Sequence, residues 1–181
     1  MTTYPTRRPI RSTVLPVLRG AARGALLLPR GALALAGTAA ARPGFATRML
    51  RPDAPADPSR TGAPRRLWYG LVAVLLGALA LVPVGVELLF LLRGVAYGLV
   101  DHGPYDHSWG GPTMAGAWAA HFAIALPFAA LGLVVLAGLD ALHRRVTAPM
   151  VGRTTPAWTV PVVVLAVAAA ALLVRAWLAQ L

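Results

Sequence analysis

Residues 67 to 92 read LWYGLVAVLLGALALVPVGVELLFLL, 26 residues with Glu87 as their one charged side chain. At 1.5 Å per residue such a run reaches about 39 Å as a helix, enough for a tilted crossing of a hydrocarbon core roughly 30 Å thick. Trp68 and Tyr69 at its start suit an interfacial aromatic belt, and Pro83 with Gly85 predicts a kink. Two further apolar runs, 113–139 and 157–178, have the same character. The expected fold is therefore all-α and integral to a membrane. It has three transmembrane helices, about 67–92, 113–139 and 157–178, and a basic N-terminal extension.

Composition agrees with that reading. Hydrophobic residues make up 57% of the 181-residue chain and charged residues only 13%, too few polar groups to cover a soluble globule. There is no cysteine, which excludes disulfides, thiolate metal sites and thiol catalysis. All 17 basic residues are arginine, and Ala, Gly and Pro abound; these are residues of GC-rich codons, which implies a high-GC bacterial genome and a plasma membrane.

Twelve of the arginines precede residue 67, and the net charge is +11. Only Tyr4 and Phe45 are aromatic in that segment, so anionic lipid headgroups are the expected counter-charge and nucleic acid is not. Residues 1–62 are read as a basic, Pro/Gly/Ala-rich cytoplasmic extension, disordered or mis-started with Met49 as an alternative start; 63–181 form the membrane domain. The alternative is an interfacial amphipathic helix, with Arg19, Arg23 and Arg30 on one side, Val17, Leu18, Ala21, Ala25 and Leu28 on the other, and Pro16 and Pro29 limiting it. The stretch RPDAPADPSRTGAPRR, 51–66, reads as a linker. Nothing resembles a cleavable signal peptide, so the first span serves as the insertion signal.

Arginine bias sets the orientation. Arg60, Arg65 and Arg66 precede the first span and Arg144, Arg145 and Arg153 follow the second, against Arg93, Asp101 and Asp106 between them. The N-terminus and the 140–156 loop fall in the cytoplasm, with the 93–112 loop and the C-terminus outside.

The outer loop DHGPYDHSWGGP, 101–112, carries two Asp-His pairs five residues apart. Asp101, His102, Asp106 and His107 are donors of the right kind for a tetrahedral zinc-like site if the Gly103-Pro104 turn folds one pair onto the other. The competing readings are a solvated loop with helix-capping residues and a pH sensor built on the two imidazoles. Within the spans, Glu87 and His121 are the ionisable pair expected to meet, as a functional site or as a structural hydrogen bond. Asp140, His143, Arg144 and Arg145 are the expected cytoplasmic contact residues. No phosphate-binding Gly-rich loop, GxSxG or HExxH motif occurs, so no enzyme and no cofactor is expected.

The order RRLWYGLVAVLLGALALVPVGVE (65–87), GGPTMAGAWAAHF (110–122) and GLVVLAGLDALHRRVTAPMVG (132–152) resembles the membrane sensor region found beside histidine-kinase output domains in high-GC bacteria. That family places several spans before a kinase, whereas this chain offers one such hairpin, a third span and no ATP-binding domain. The resemblance implies a stand-alone sensory or accessory module acting through a membrane protein partner or a homo-oligomer. The alternative is a homo-oligomeric transport or channel component using Glu87 and His121.

Overall fold

The computed structural model describes residues 11–53 and 57–180. Among these residues the regular structure is entirely helical: α1 (Arg11–Ala25), α2 (Leu27–Ala39), α3 (Pro43–Leu50), α4 (Ala63–Leu89), α5 (Tyr97–Val100), α6 (Met114–Val146) and α7 (Thr159–Leu178). A π-helical turn, Phe90–Val95, prolongs α4 almost to α5. Two stretches are long and apolar enough to cross a membrane, Ala63–Val95 and Met114–Val146, each of 33 residues. The third apolar helix, α7, has 20 residues.

The two long helices run antiparallel. Gly132 of α6 faces Pro83 and Glu87, Ala125 faces Gly94, and Trp118 donates its indole N–H to the Gly94 carbonyl at 2.8 Å. Numbers thus fall along α6 as they rise along α4. Both exceed their sequence-predicted bounds: α6 continues seven residues past 139, and the helical path of α4 persists through the π turn instead of stopping at Leu92. Asp140 ends the hydropathic run but does not disturb the backbone ladder, because its charge is matched by Arg23 and Arg144 at 3.1 and 3.3 Å.

The largest correction concerns the N-terminal extension. Residues 11–50 are not a separate tail, since α1 packs on α6, with Gly20 at Ala137 and Gly24 at Leu136, and α2 runs antiparallel to α4, with Leu28 at Gly77, Gly31 at Val74 and Leu35 at Gly70. Gly20, Ala21, Gly24, Leu27, Gly31, Ala34 and Gly37 form the buried stripe. Its small residues let backbones meet: a Cβ on Gly31 would lie 2.7 Å from the Val74 nitrogen, and one on Gly24 or Gly77 would overlap the backbone of Leu136 or Leu28. Pro16 lies within α1, and Pro29 in the first turn of α2, where no backbone N–H is needed. The chain breaks between them only at Leu26.

Helix α3 then folds back, burying Ala46, Thr47 and Leu50. One hydrophobic cluster gathers Leu27, Leu50, Val72, Leu76, Val146 and Met150 with Val163 of α7, so the core sits at the arginine-rich end of the bundle. Beyond it, Leu81, Val82, Leu88 and Leu89 of α4, Leu92 of the π turn and Leu126, Phe128, Leu131 and Val134 of α6 are exposed. So broad an apolar belt calls for an apolar solvent or a partner.

Candidate functional site

At the end of the bundle marked by Arg93, the π turn and α5 meet the first turns of α6. A π turn widens the helix by one residue, and here the Ala96 N–H donates to the Leu91 carbonyl, five residues back, at 2.8 Å. The register change helps to place Tyr97 inside, 5% exposed, where its ring stacks on His121 at 4.2 Å between centroids and 16° between planes. His121 Nδ1 lies 2.8 Å from the Ala117 carbonyl. A carbonyl only accepts, so Nδ1 carries the proton and, in the neutral ring, Nε2 is left as an acceptor.

The 101–113 loop closes over this pair. Asp101 accepts from the Gly103 N–H at 3.0 Å, which holds its carboxyl below the usual carboxylate range, and the Tyr105 hydroxyl donates to the Asp101 carbonyl at 2.7 Å. Gly103 takes φ +83° in the turn, and the Thr113 hydroxyl caps α6 by accepting from the Gly116 N–H at 3.2 Å. Gly110 approaches Gly116 so closely that a Cβ on either would overlap the other's carbonyl. The result is a cavity of about 480 Å³ between loop and helices, lined by Arg93, Tyr97, His107, Ser108, Trp109, His121, Ile124 and Ala125. Its walls are mainly apolar and aromatic; the polar groups of its lining residues are one guanidinium, two imidazoles, two hydroxyls and one indole N–H.

The sequence-predicted residues are thus regrouped. Asp101, His102, Asp106 and His107 do not converge, and among the described residues no three His, Asp or Glu side chains stand close enough to hold a metal ion. His107 instead joins His121 around the cavity. Glu87 and His121 do not pair: Glu87 abuts Gly132, which lies eleven residues beyond His121 on α6, roughly 16 Å along the helix. The longer helical path of α4 causes this shift in register. Glu87 occupies a separate apolar recess with Leu18, Val84, Leu133 and Leu136, where Oε1 has no hydrogen-bond partner among the described residues.

Of the four expected contact residues, two lie inside the bundle. Asp140 and His143 are 3% and 4% exposed, because α1 covers the carboxylate and the core encloses the imidazole, so neither offers a surface to a partner. Arg144 is shared between Asp140 and Asp53. Arg145 is exposed, with its guanidinium 5.0 Å from the centre of the Trp158 ring. Sequence reasoning missed Arg51, whose Nη1 donates to the Arg144 carbonyl at 3.0 Å and lies 3.4 Å from the Thr147 hydroxyl. Burial lowers its guanidinium from the ordinary value against the opposing pull of Asp53.

No protein-family model, curated protein or solved structure matches the chain.

Proposed function

We propose that this chain is a small non-enzymatic membrane protein, a sensory or accessory subunit whose stimulus is a small organic acid received in the Arg93 cavity. The observation that carries the reading is that loop, π turn and α6 together enclose one cavity holding Arg93, His107 and His121 against the aromatic walls of Tyr97 and Trp109. A guanidinium with two imidazoles suits a carboxylate, and the apolar walls suit a short hydrocarbon or aromatic body. The resemblance of 65–152 to histidine-kinase-associated sensor regions points the same way, as does the absence of a catalytic motif.

In this reading the two long helices cross a bacterial plasma membrane and α7 makes the third crossing. The arginine-rich end with the N-terminus faces the cytoplasm and the anionic headgroups, and the cavity and C-terminus face outward. The transport alternative rested on Glu87 and His121 lining one path, and their separation along the helices removes that support.

Full-length protein in nanodiscs, titrated with benzoate and hexanoate while tryptophan fluorescence is followed, tests the proposal. Saturable quenching, weakened about tenfold in Arg93→Gln as befits the loss of one charge-assisted contact, is expected. Absence of saturation by either acid sinks the acid-sensing reading. Cross-linking in native membranes addresses the partner: a reproducible membrane protein supports a subunit role, and self-linked copies with Glu87-dependent flux support transport.

A further inference from the structure

A second cavity, of about 440 Å³, opens at the arginine-rich end, and its charge is unbalanced. Arg51, Arg144, Arg145 and Arg153 line it with Asp53 and Thr154. Asp53 lies 4.0 Å from Arg51 Nε and 3.8 Å from Arg144 Nη1, the outer limit of an ion pair, so one carboxylate serves two guanidinium groups. Asp140, the next carboxylate, is already shared by Arg23 and Arg144. Four positive charges therefore face the cavity against one negative charge, an arrangement that costs free energy unless an anion joins it.

Two of the guanidinium groups, those of Arg51 and Arg145, are also held in place before any anion arrives. Arg51 is anchored through Nη1 to the Arg144 carbonyl, while its buried Nε has no hydrogen-bond partner among the described residues. Arg145 uses its flat face on Trp158, which leaves its N–H edge unspent. Gly152, at φ +73°, turns the chain so that Arg153 follows directly, its N–H tied to the Ala148 carbonyl at 3.1 Å. Forked donors arriving from several directions match the three or four oxygens of a phosphate better than a planar carboxylate, which one such fork saturates.

We infer that this recess is a binding site for a phosphate group, either the headgroup of an anionic phospholipid or a soluble phosphate. The lipid source rests on the membrane reading above; the soluble source does not. At 440 Å³ the recess holds a phosphate together with a glycerol-sized substituent.

The test uses the full chain in two arms. In nanodiscs of phosphatidylcholine doped with phosphatidylglycerol, native mass spectrometry counts phosphatidylglycerol retained by the wild type, by Arg153→Gln and by Arg145→Gln with Arg153→Gln. In neutral detergent without anionic lipid, calorimetry follows inorganic phosphate. Each arginine removed is expected to weaken binding about tenfold, and Arg153→Lys to fall between, since charge survives and the fork does not. Arg153 is exposed, so its replacement leaves the fold intact and carries the test even where loss of the Arg145 to Trp158 contact disturbs α7. Arginine-dependent retention of phosphatidylglycerol identifies a lipid site. Arginine-dependent binding of inorganic phosphate without lipid preference identifies a soluble ligand. Binding of neither, or binding indifferent to Arg153, overturns the inference, and failure of the lipid arm alone bears on the membrane reading.

Discussion

Docking of residues 11–39 against the two long helices makes a cross-linking prediction that the cysteine-free sequence leaves clean. A Cβ built on Gly20 lies 3.0 Å from Cβ of Ala137, whereas one on Gly138 meets nothing within 4 Å. Disulfides need Cβ atoms roughly 3.5–4.5 Å apart. Gly20→Cys with Ala137→Cys therefore requires the helices to separate by about half an ångström and should oxidise almost completely, while Gly20→Cys with Gly138→Cys should not. Gly94→Cys with Ala125→Cys, at 3.7 Å, calibrates the method within the α4 to α6 hairpin, read with its own protease site in the 101–113 loop that separates the two cysteines. A bond between 20 and 137 closes a loop of more than a hundred residues. Chain entropy alone would then stabilise the fold by up to about 4.7 kcal/mol, less the strain of the short approach. Oxidation in native membranes, cleavage at a protease site placed in the exposed Asp57–Arg60 segment, and a non-reducing gel give the answer. After that cut the two fragments should stay joined in the 20/137 protein and separate in the 20/138 protein. If 94/125 links and 20/137 links no better than 20/138, then α1 is not docked and the N-terminal segment is a separate tail.

Replacing Asp140 with Asn removes the carboxylate shared by Arg23 and Arg144 and should lower stability by about 3 kcal/mol, seen as a lower thermal midpoint and a poorer 20/137 yield; an unchanged midpoint refutes the role assigned to the pair. Gly77→Ala drives a methyl into the Leu28 backbone and should cost about 1–3 kcal/mol, whereas Gly85→Ala, with open space around it, should be neutral or slightly stabilising; equal midpoints would contradict the close approach. Glu87→Gln and His121→Phe touch different neighbours, so their effects on the midpoint should add within about 0.5 kcal/mol; a larger coupling would mean that the two side chains meet.

How much of this was legible in the sequence differs by element. The runs at 67–92 and 113–139 announced the two long helices because hydropathy reports on apolar length. Their ends were misplaced because hydropathy stops at the first charge, while a helix stops where its backbone ladder does. The π turn has no signature in composition, and it is what carries α4 past Leu92 and shifts Glu87 away from His121. The N-terminal helices were obscured by arginines that break every apolar window. The usable signal was different: Gly20, Gly24, Leu27, Gly31 and Ala34 recur at three and four residues, the spacing of one helix face, and small residues on such a face let backbones touch. In the loop, the sequence shows four candidate donors but not which of its histidines borders the cavity, because that depends on how Gly103 and Gly110 fold it and no local pattern encodes it.

The distribution of packing gives the two cavities different mechanical settings. The largest fully buried side chains, Leu50, Leu76, Met150 and Val72, all belong to the arginine-rich end, where α2, α3, α4, α6 and the start of α7 converge. At the other end, the buried apolar residues among those described are Tyr97 and Ala117. Regions with few buried contacts open at lower free energy than the core, so the Arg93 cavity can adjust to an occupant while the basic recess keeps its shape. A single helix, α6, joins them: its early turns supply His121 to one cavity and its last turn supplies Arg144 and Arg145 to the other.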